Sequence, residues 1–103
     1  MPGQPFYVSD ENGEKTYQAT VSNDGTLTNL KLFVEQGGES VAVDKKGNVY
    51  IAAGQVYVYD RSGKLVDTIL VPERPSQLLF GGLNGHTLFI LARSSLYAVN
   101  TIN

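Results

Sequence analysis

The sequence predicts an all-β protein of antiparallel β-propeller blades, about two and a half to three of them, and three observations predict it. Short apolar runs follow one another with turn residues between them, the runs are rich in β-branched and aromatic residues, and the pattern returns at a period near 40 residues. No window of comparable length places apolar residues at i, i+3, i+4 and i+7, so helices are not expected.

The pattern is clearest from Gly47 to Ile69. Asn48 to Ala53 is one apolar run, Gly54-Gln55 interrupts it, Val56 to Tyr59 is a second, and Asp60-Arg61-Ser62-Gly63 punctuates it before Leu65 to Val71. This reads as a meander of three strands joined by tight turns. Its inner strands are nearly continuous in apolar and aromatic residues, so the sheet is expected to be covered on both faces. Before it, Phe6 to Ser9 is a strand, Asn12-Gly13 marks a turn, and Thr16 to Val21 alternates as a strand with one wetter face. Ser22-Asn23-Asp24-Gly25 turns the chain, Leu30 to Val34 follows, and Glu35 to Glu39 leads into Ser40 to Val43, which ends at Asp44-Lys45-Lys46-Gly47. After the meander, Val71-Pro72-Glu73-Arg74-Pro75 is a stiff connector, because each proline fixes its own φ and biases the residue before it. Ser76 to Phe80, Thr87 to Ala92 and Leu96 to Thr101 complete the candidate strands.

The repeat groups these strands. Tyr50-Ile51 corresponds to Phe89-Ile90, Val56-Tyr57 to Leu96-Tyr97, Gly47 to Gly85, Tyr50 to Tyr7 and Tyr57 to Tyr17, at offsets of about 38 to 43 residues. Residues 6–35 are an incomplete blade, 39–71 a complete one and 76–101 another incomplete one. Val41, Val43, Tyr50, Ile51, Val58, Leu79, Phe89 and Ile90 are the expected sheet–sheet core. Open strand edges and uncovered apolar faces predict a homo-oligomer, most simply a pair of half-rings, with a trimer as the alternative.

Composition narrows function by exclusion. In 103 residues, 42% are hydrophobic and 17% charged, which fits one folded domain and not a disordered chain. The net charge of -2 and the scattered Lys and Arg residues give no basic stripe, so nucleic acid is not an expected partner. The absence of cysteine removes disulfides and thiolate sites. No apolar run approaches membrane-spanning length, and Met1-Pro2-Gly3-Gln4-Pro5 lacks the start of a signal peptide, so a soluble chain without a membrane partner is expected.

Asp44-x-x-Gly-Asn-Val-Tyr50, Val71-Pro-Glu-Arg-Pro75, Phe80-Gly-Gly82 and Leu96-Tyr97 together carry a family resemblance. From Gly37 to Val99 the chain resembles the C-terminal part of the gluconolactonase, regucalcin and senescence-marker-protein family, and Phe6 to Glu35 fits the blade before it. The resemblance implies half of a six-bladed propeller and, for the family, a divalent cation, calcium foremost, that polarises the carbonyl of a sugar lactone or related ester during hydrolysis. It places a family metal position on Glu39, where the family's usual residue is Asp. The family's other ligands fall before this sequence, so activity in isolation is not expected, and the partners implied are the missing blades or further copies of the chain.

The residues themselves leave plainer readings open. Glu39 also reads as a solvated loop carboxylate, Asp10 as the start of the Asn12-Gly13 turn, and His86 as a surface turn residue after Asn84-Gly85. Asp44 and Asp60 read as turn residues that bond their own backbone. A catalytic residue is not assigned, and the alternative function is a self-associating propeller module with a binding or scaffold role.

Overall fold

The computed structural model describes residues 5–81 and 86–101, which form β1 (Pro5–Asp10), β2 (Lys15–Val21), β3 (Leu27–Val34), β4 (Ser40–Val43), β5 (Val49–Ala53), β6 (Gln55–Tyr59), β7 (Leu65–Ile69), β8 (Pro75–Gly81), β9 (Thr87–Ala92) and β10 (Leu96–Asn100). Among the described residues there is no helix, hence none long and apolar enough to cross a membrane. Met1 to Gln4, Gly82 of the Phe-Gly-Gly run, the Asn84-Gly85 turn and the Gly85 repeat position lie outside the described residues.

Three antiparallel meanders result: a first sheet β1-β2-β3, a central four-stranded sheet β4-β5-β6-β7, and a third sheet β8-β9-β10. Three of the connecting turns share one construction. In each, a glycine with φ between +86° and +89° (Gly25, Gly47, Gly63) donates its N–H to the carbonyl three residues earlier, and the first turn residue donates to the carbonyl after the glycine. This is a type I turn closed by a left-handed residue, and glycine takes that conformation without a Cβ penalty. Asp44 and Asp60 cap their turns as read from sequence: Oδ1 of Asp44 accepts the N–H groups of Lys46 and Asn48, and Oδ1 of Asp60 those of Ser62 and Lys64.

The central sheet is sandwiched. Along β5 the side chains alternate between its two neighbours: Val49 and Ile51 pack with Val34, Tyr7 and Phe33 of the first sheet, while Tyr50 and Ala52 pack with Leu78, Leu88 and Ile90 of the third. Val49, Ile51 and Ala52 are fully buried. Edge-to-face rings cross both interfaces, Phe33 on Tyr59 at 6.5 Å and Tyr50 on Phe80 at 4.9 Å between centroids.

The core differs from the expected list at three positions. Leu79 is 65% exposed because its neighbour Leu78 is the residue of β8 that turns toward the central sheet. Phe89 pairs with Leu79 and shares its outward face, so it is half-buried and lies outside the inter-sheet clusters. Val43 is 42% exposed, because the first and central sheets part at the Asp44 turn and leave a cleft that Val43 lines. Pro75, read as part of the connector, is the fully buried first residue of β8. The expected wet face of β2 is absent. Its register with β3 shifts twice, and its buried residues are Thr16 and Ala19.

Candidate functional site

The sheets bring the β1–β2 turn, the start of β4, the β5–β6 turn, the start of β8 and the β9–β10 turn to one end of the molecule. Glu39 stands there, immediately before β4, with its N–H donating to the carbonyl of Ala52 at 2.8 Å. The two residues before it fix its place. A Cβ on Gly37 would lie 2.1 Å from the carbonyl oxygen of Asp10, and one on Gly38 would lie 2.0 Å from that of Ala52. Only a backbone without side chains threads between the first and central sheets here. A small polar knot completes the support. The buried Thr16 hydroxyl donates to the Gln36 carbonyl at 2.6 Å, and the Gly38 N–H donates to Ser9 Oγ at 2.7 Å.

The connector to β8 runs over the same end and uses both of its charged residues. Arg74 Nη2 donates to Glu11 Oε2 at 3.3 Å, and its Nε lies 3.7 Å from Glu39 Oε2. Glu73 takes the Ser94 hydroxyl on Oε2 at 2.5 Å and the Ser94 N–H on Oε1 at 3.4 Å, which ties the connector to the β9–β10 turn. The Ser94 hydroxyl holds the Glu73 carboxyl below the usual carboxylate range. Glu11, Glu39 and Arg74 therefore bring together the first sheet, the central sheet and the approach to the third.

These residues do not fit a divalent cation as they stand. The Glu39 carboxylate faces a guanidinium, its acidic neighbour Glu11 shares that guanidinium, and among the described residues no three of His, Asp and Glu gather as metal ligands. Calcium takes roughly six to eight oxygen ligands. Two carboxylates, already bridged by a cation, fall short of that.

Asp10 has the turn role: its Oδ1 accepts the Gly13 N–H at 3.0 Å. His86 lies past the far end of β8, a seven-residue strand, and so about 20 Å or more from the end that carries Arg74. Its carbonyl accepts the backbone N–H and the hydroxyl of Thr101. The same far end holds two clefts of about 310 Å³ each, neither lined by Glu11, Glu39 or Arg74. Beside one of them, burial and then the charge of Asp44 push the Tyr50 hydroxyl above its ordinary pKa, and Tyr50 donates to Asp44 Oδ2 at 3.1 Å. That hydroxyl is a structural donor.

Sequence reading missed Glu11, Arg74 and the Ser9–Thr16 knot. The signal for Arg74 is present in Val71-Pro-Glu-Arg-Pro75, where the prolines explain a stiff connector but not the two charged residues between them.

Comparison with known proteins accounts for this framework. Residues 2–94 match the model of the SMP-30/gluconolactonase/LRE-like region. A gluconolactonase from Xanthomonas campestris is similar at 20% identity with a TM-score of 0.66, over 96% of this chain and 38% of that one. The calcium-binding protein regucalcin from Agrobacterium tumefaciens matches at 19% identity and TM-score 0.72, over 82% of this chain and 32% of that one. A luciferin-regenerating enzyme matches at 17% identity and TM-score 0.71, over 84% and 33%. The chain thus spans about a third of the length of the solved structures it matches. A search of curated proteins found no match. With the family match covering nearly the whole chain and three blade-like sheets in meander order, this chain is a partial β-propeller and belongs to the SMP-30/gluconolactonase/LRE-like family.

Proposed function

We propose that this chain serves as the C-terminal blades of a gluconolactonase-like sugar-lactone hydrolase and has no lactonase activity by itself. The observation that carries the reading is that the chain aligns over 96% of its length with 38% of a gluconolactonase, and contributes a single carboxylate, Glu39, at the position the family resemblance assigns to metal. A lactone carbonyl needs an electrophile and an oriented water, and both require several groups held in fixed geometry. Glu39 alone does not supply them. Blades outside this chain are the proposed source of the remaining ligands, with calcium as the proposed ion.

Hydrolysis of a simple aldonolactone by the isolated chain, followed by acid release with and without calcium, tests this. The expected rate is that of buffer. Turnover abolished by Glu39→Ala and by chelation would overturn the reading.

The outer faces of the flanking sheets favour a second reading, a module that functions by association. Phe6, Leu30 and Leu32 are about half or more exposed on the first sheet, as are Leu79, Leu91 and Leu96 on the third. Apolar patches of this kind mark association surfaces, and further blades or a second copy of the chain would cover them. Light scattering at micromolar concentration distinguishes a monomer from a pair.

A further inference from the structure

The end of the molecule that carries Glu39 has a cation of its own. Arg74 lies between the only two carboxylates its guanidinium reaches in the described residues, 3.3 Å from Glu11 and 3.7 Å from Glu39. The planar guanidinium presents donors in several fixed directions, so one side chain serves two acceptors on different sheets. Without a cation, the two carboxylates would repel across this gap.

We infer that Arg74 takes the place of a divalent cation at this end, bridging Glu39 to Glu11 and keeping calcium off Glu39 in the chain by itself. The inference concerns the metal of the proposed lactonase reading, but it rests on the geometry of these three side chains. An ion bound at Glu39 would sit within about 4–5 Å of a guanidinium that is already there. At the dielectric of water, repulsion between a unit charge and a divalent ion at that distance weakens binding by about tenfold or more. Glu39 thus has two states, one paired to Arg74 and one free for an ion, and the connector geometry favours the first.

Terbium binding, read by luminescence sensitised through the chain's six tyrosines with calcium as competitor, tests this without reference to hydrolysis. Failure of the inference and failure of the lactonase reading are therefore separable. The full chain is expected to show no saturable, Glu39-dependent signal. Arg74→Gln is expected to bind the ion at least about tenfold tighter than wild type, weakly in absolute terms because the two released carboxylates leave most of the coordination shell to water, with the signal displaced by calcium and lost again in Arg74→Gln/Glu39→Gln. Arg74→Lys, which keeps the charge, is expected to behave as wild type. The Arg74 side chain is 60% exposed, so these variants should keep the wild-type circular dichroism spectrum. Glu39-dependent binding by wild type as tight as by Arg74→Gln would overturn the inference. So would an Arg74→Gln variant that gains no binding, or an Arg74→Lys variant that gains as much as Arg74→Gln.

Discussion

The central sheet and its two flanking sheets are built from the same strands and turns, yet they satisfy their apolar residues differently. In β5, four of five residues are buried and both faces are covered. In β10 of the third sheet no residue is buried, and in β3 of the first only Val34 is. The difference does not lie in residue type, since Leu30, Leu79 and Leu96 are as apolar as anything in β5. It lies in position within a stack, where only a sheet with neighbours on both sides uses both halves of its two-residue period. Strand sequence therefore specifies a blade, and the number of blades on either side decides what that blade buries.

The sharpest way to break the comparison is to place the same charge in both regions. Ile51→Asp puts a carboxylate at a fully buried position between Val34 and Val49, with no partner to neutralise it. A loss of about 4 kcal/mol or more is expected, enough to unfold a domain of this size. Leu79→Asp changes a residue that is 65% exposed on the outer face of the third sheet. Its expected effect on the unfolding midpoint is within about 0.5 kcal/mol. Urea denaturation followed by circular dichroism would measure both. Equal destabilisation would show that the third sheet's outer face is covered in solution, and an Ile51→Asp chain as stable as wild type would invalidate the strand assignment itself.

A smaller effect separates the seam between sheets from a turn at their rim. Gly38→Ala forces a methyl carbon to within 2.0 Å of the Ala52 carbonyl oxygen, against backbone that is itself paired on both sides. Something must shift, and a loss of about 2–3 kcal/mol is expected, in the range of strained or overpacked core sites. Gly54→Ala meets nothing within 4 Å, and its penalty comes only from the positive φ of 82°. About 1–2 kcal/mol is expected there. If thermal melts ranked the two variants in the opposite order, the Gly37-Gly38 segment would not be the tight crossing described.

What the sequence made legible follows the same division. Strands and turns could be read because their causes are local. Asp44-Lys45-Lys46-Gly47 and Asp60-Arg61-Ser62-Gly63 each carry the capping carboxylate and the left-handed glycine within four residues. Facing was harder to read. Leu78 and Leu79 are adjacent and identical, so no pattern of apolar residues states which one turns inward, and register settles it. Val43 has the parity of the half-buried Val41 and the buried Ile51 but lies where the sheets diverge, a property of sheet twist. The candidate site was the least legible. Glu39 was identified through family resemblance alone, and its partners Glu11 and Arg74 lie far from it in sequence, joined only when three sheets converge at one end.

The smallest expected effect tests what the three sheets have in common. Each has a carboxylate held low by a serine hydroxyl at one of its turns. Asp24 is lowered to about 2, first by Ser22 and then by Thr26; Asp60 is lowered first by Ser62; and Glu73 is lowered first by Ser94, in the turn of the third sheet. A folded pKa below the unfolded value contributes stability that is complete above the unfolded pKa and is lost as pH falls through the folded one. The unfolded values are 4.5 for Glu73 and 3.8 for the two aspartates, so the melting temperature is expected to be flat from pH 7 to 5 with respect to these groups. It should then decline from about pH 4.5 toward pH 2. All three carboxylates are at the surface, where solvent and salt screen such interactions, so the decline should be shallow and should shrink in high salt. Ser94→Ala removes the donor on which the Glu73 shift chiefly depends, and should flatten the upper part of that decline while leaving the part near pH 2 to Asp24. A profile unchanged by Ser94→Ala would mean that the Ser94 hydroxyl does not hold the Glu73 carboxylate in solution, and that the Ser94 N–H and the neighbouring Ser95 and Tyr97 side chains tie the connector to the third sheet without it.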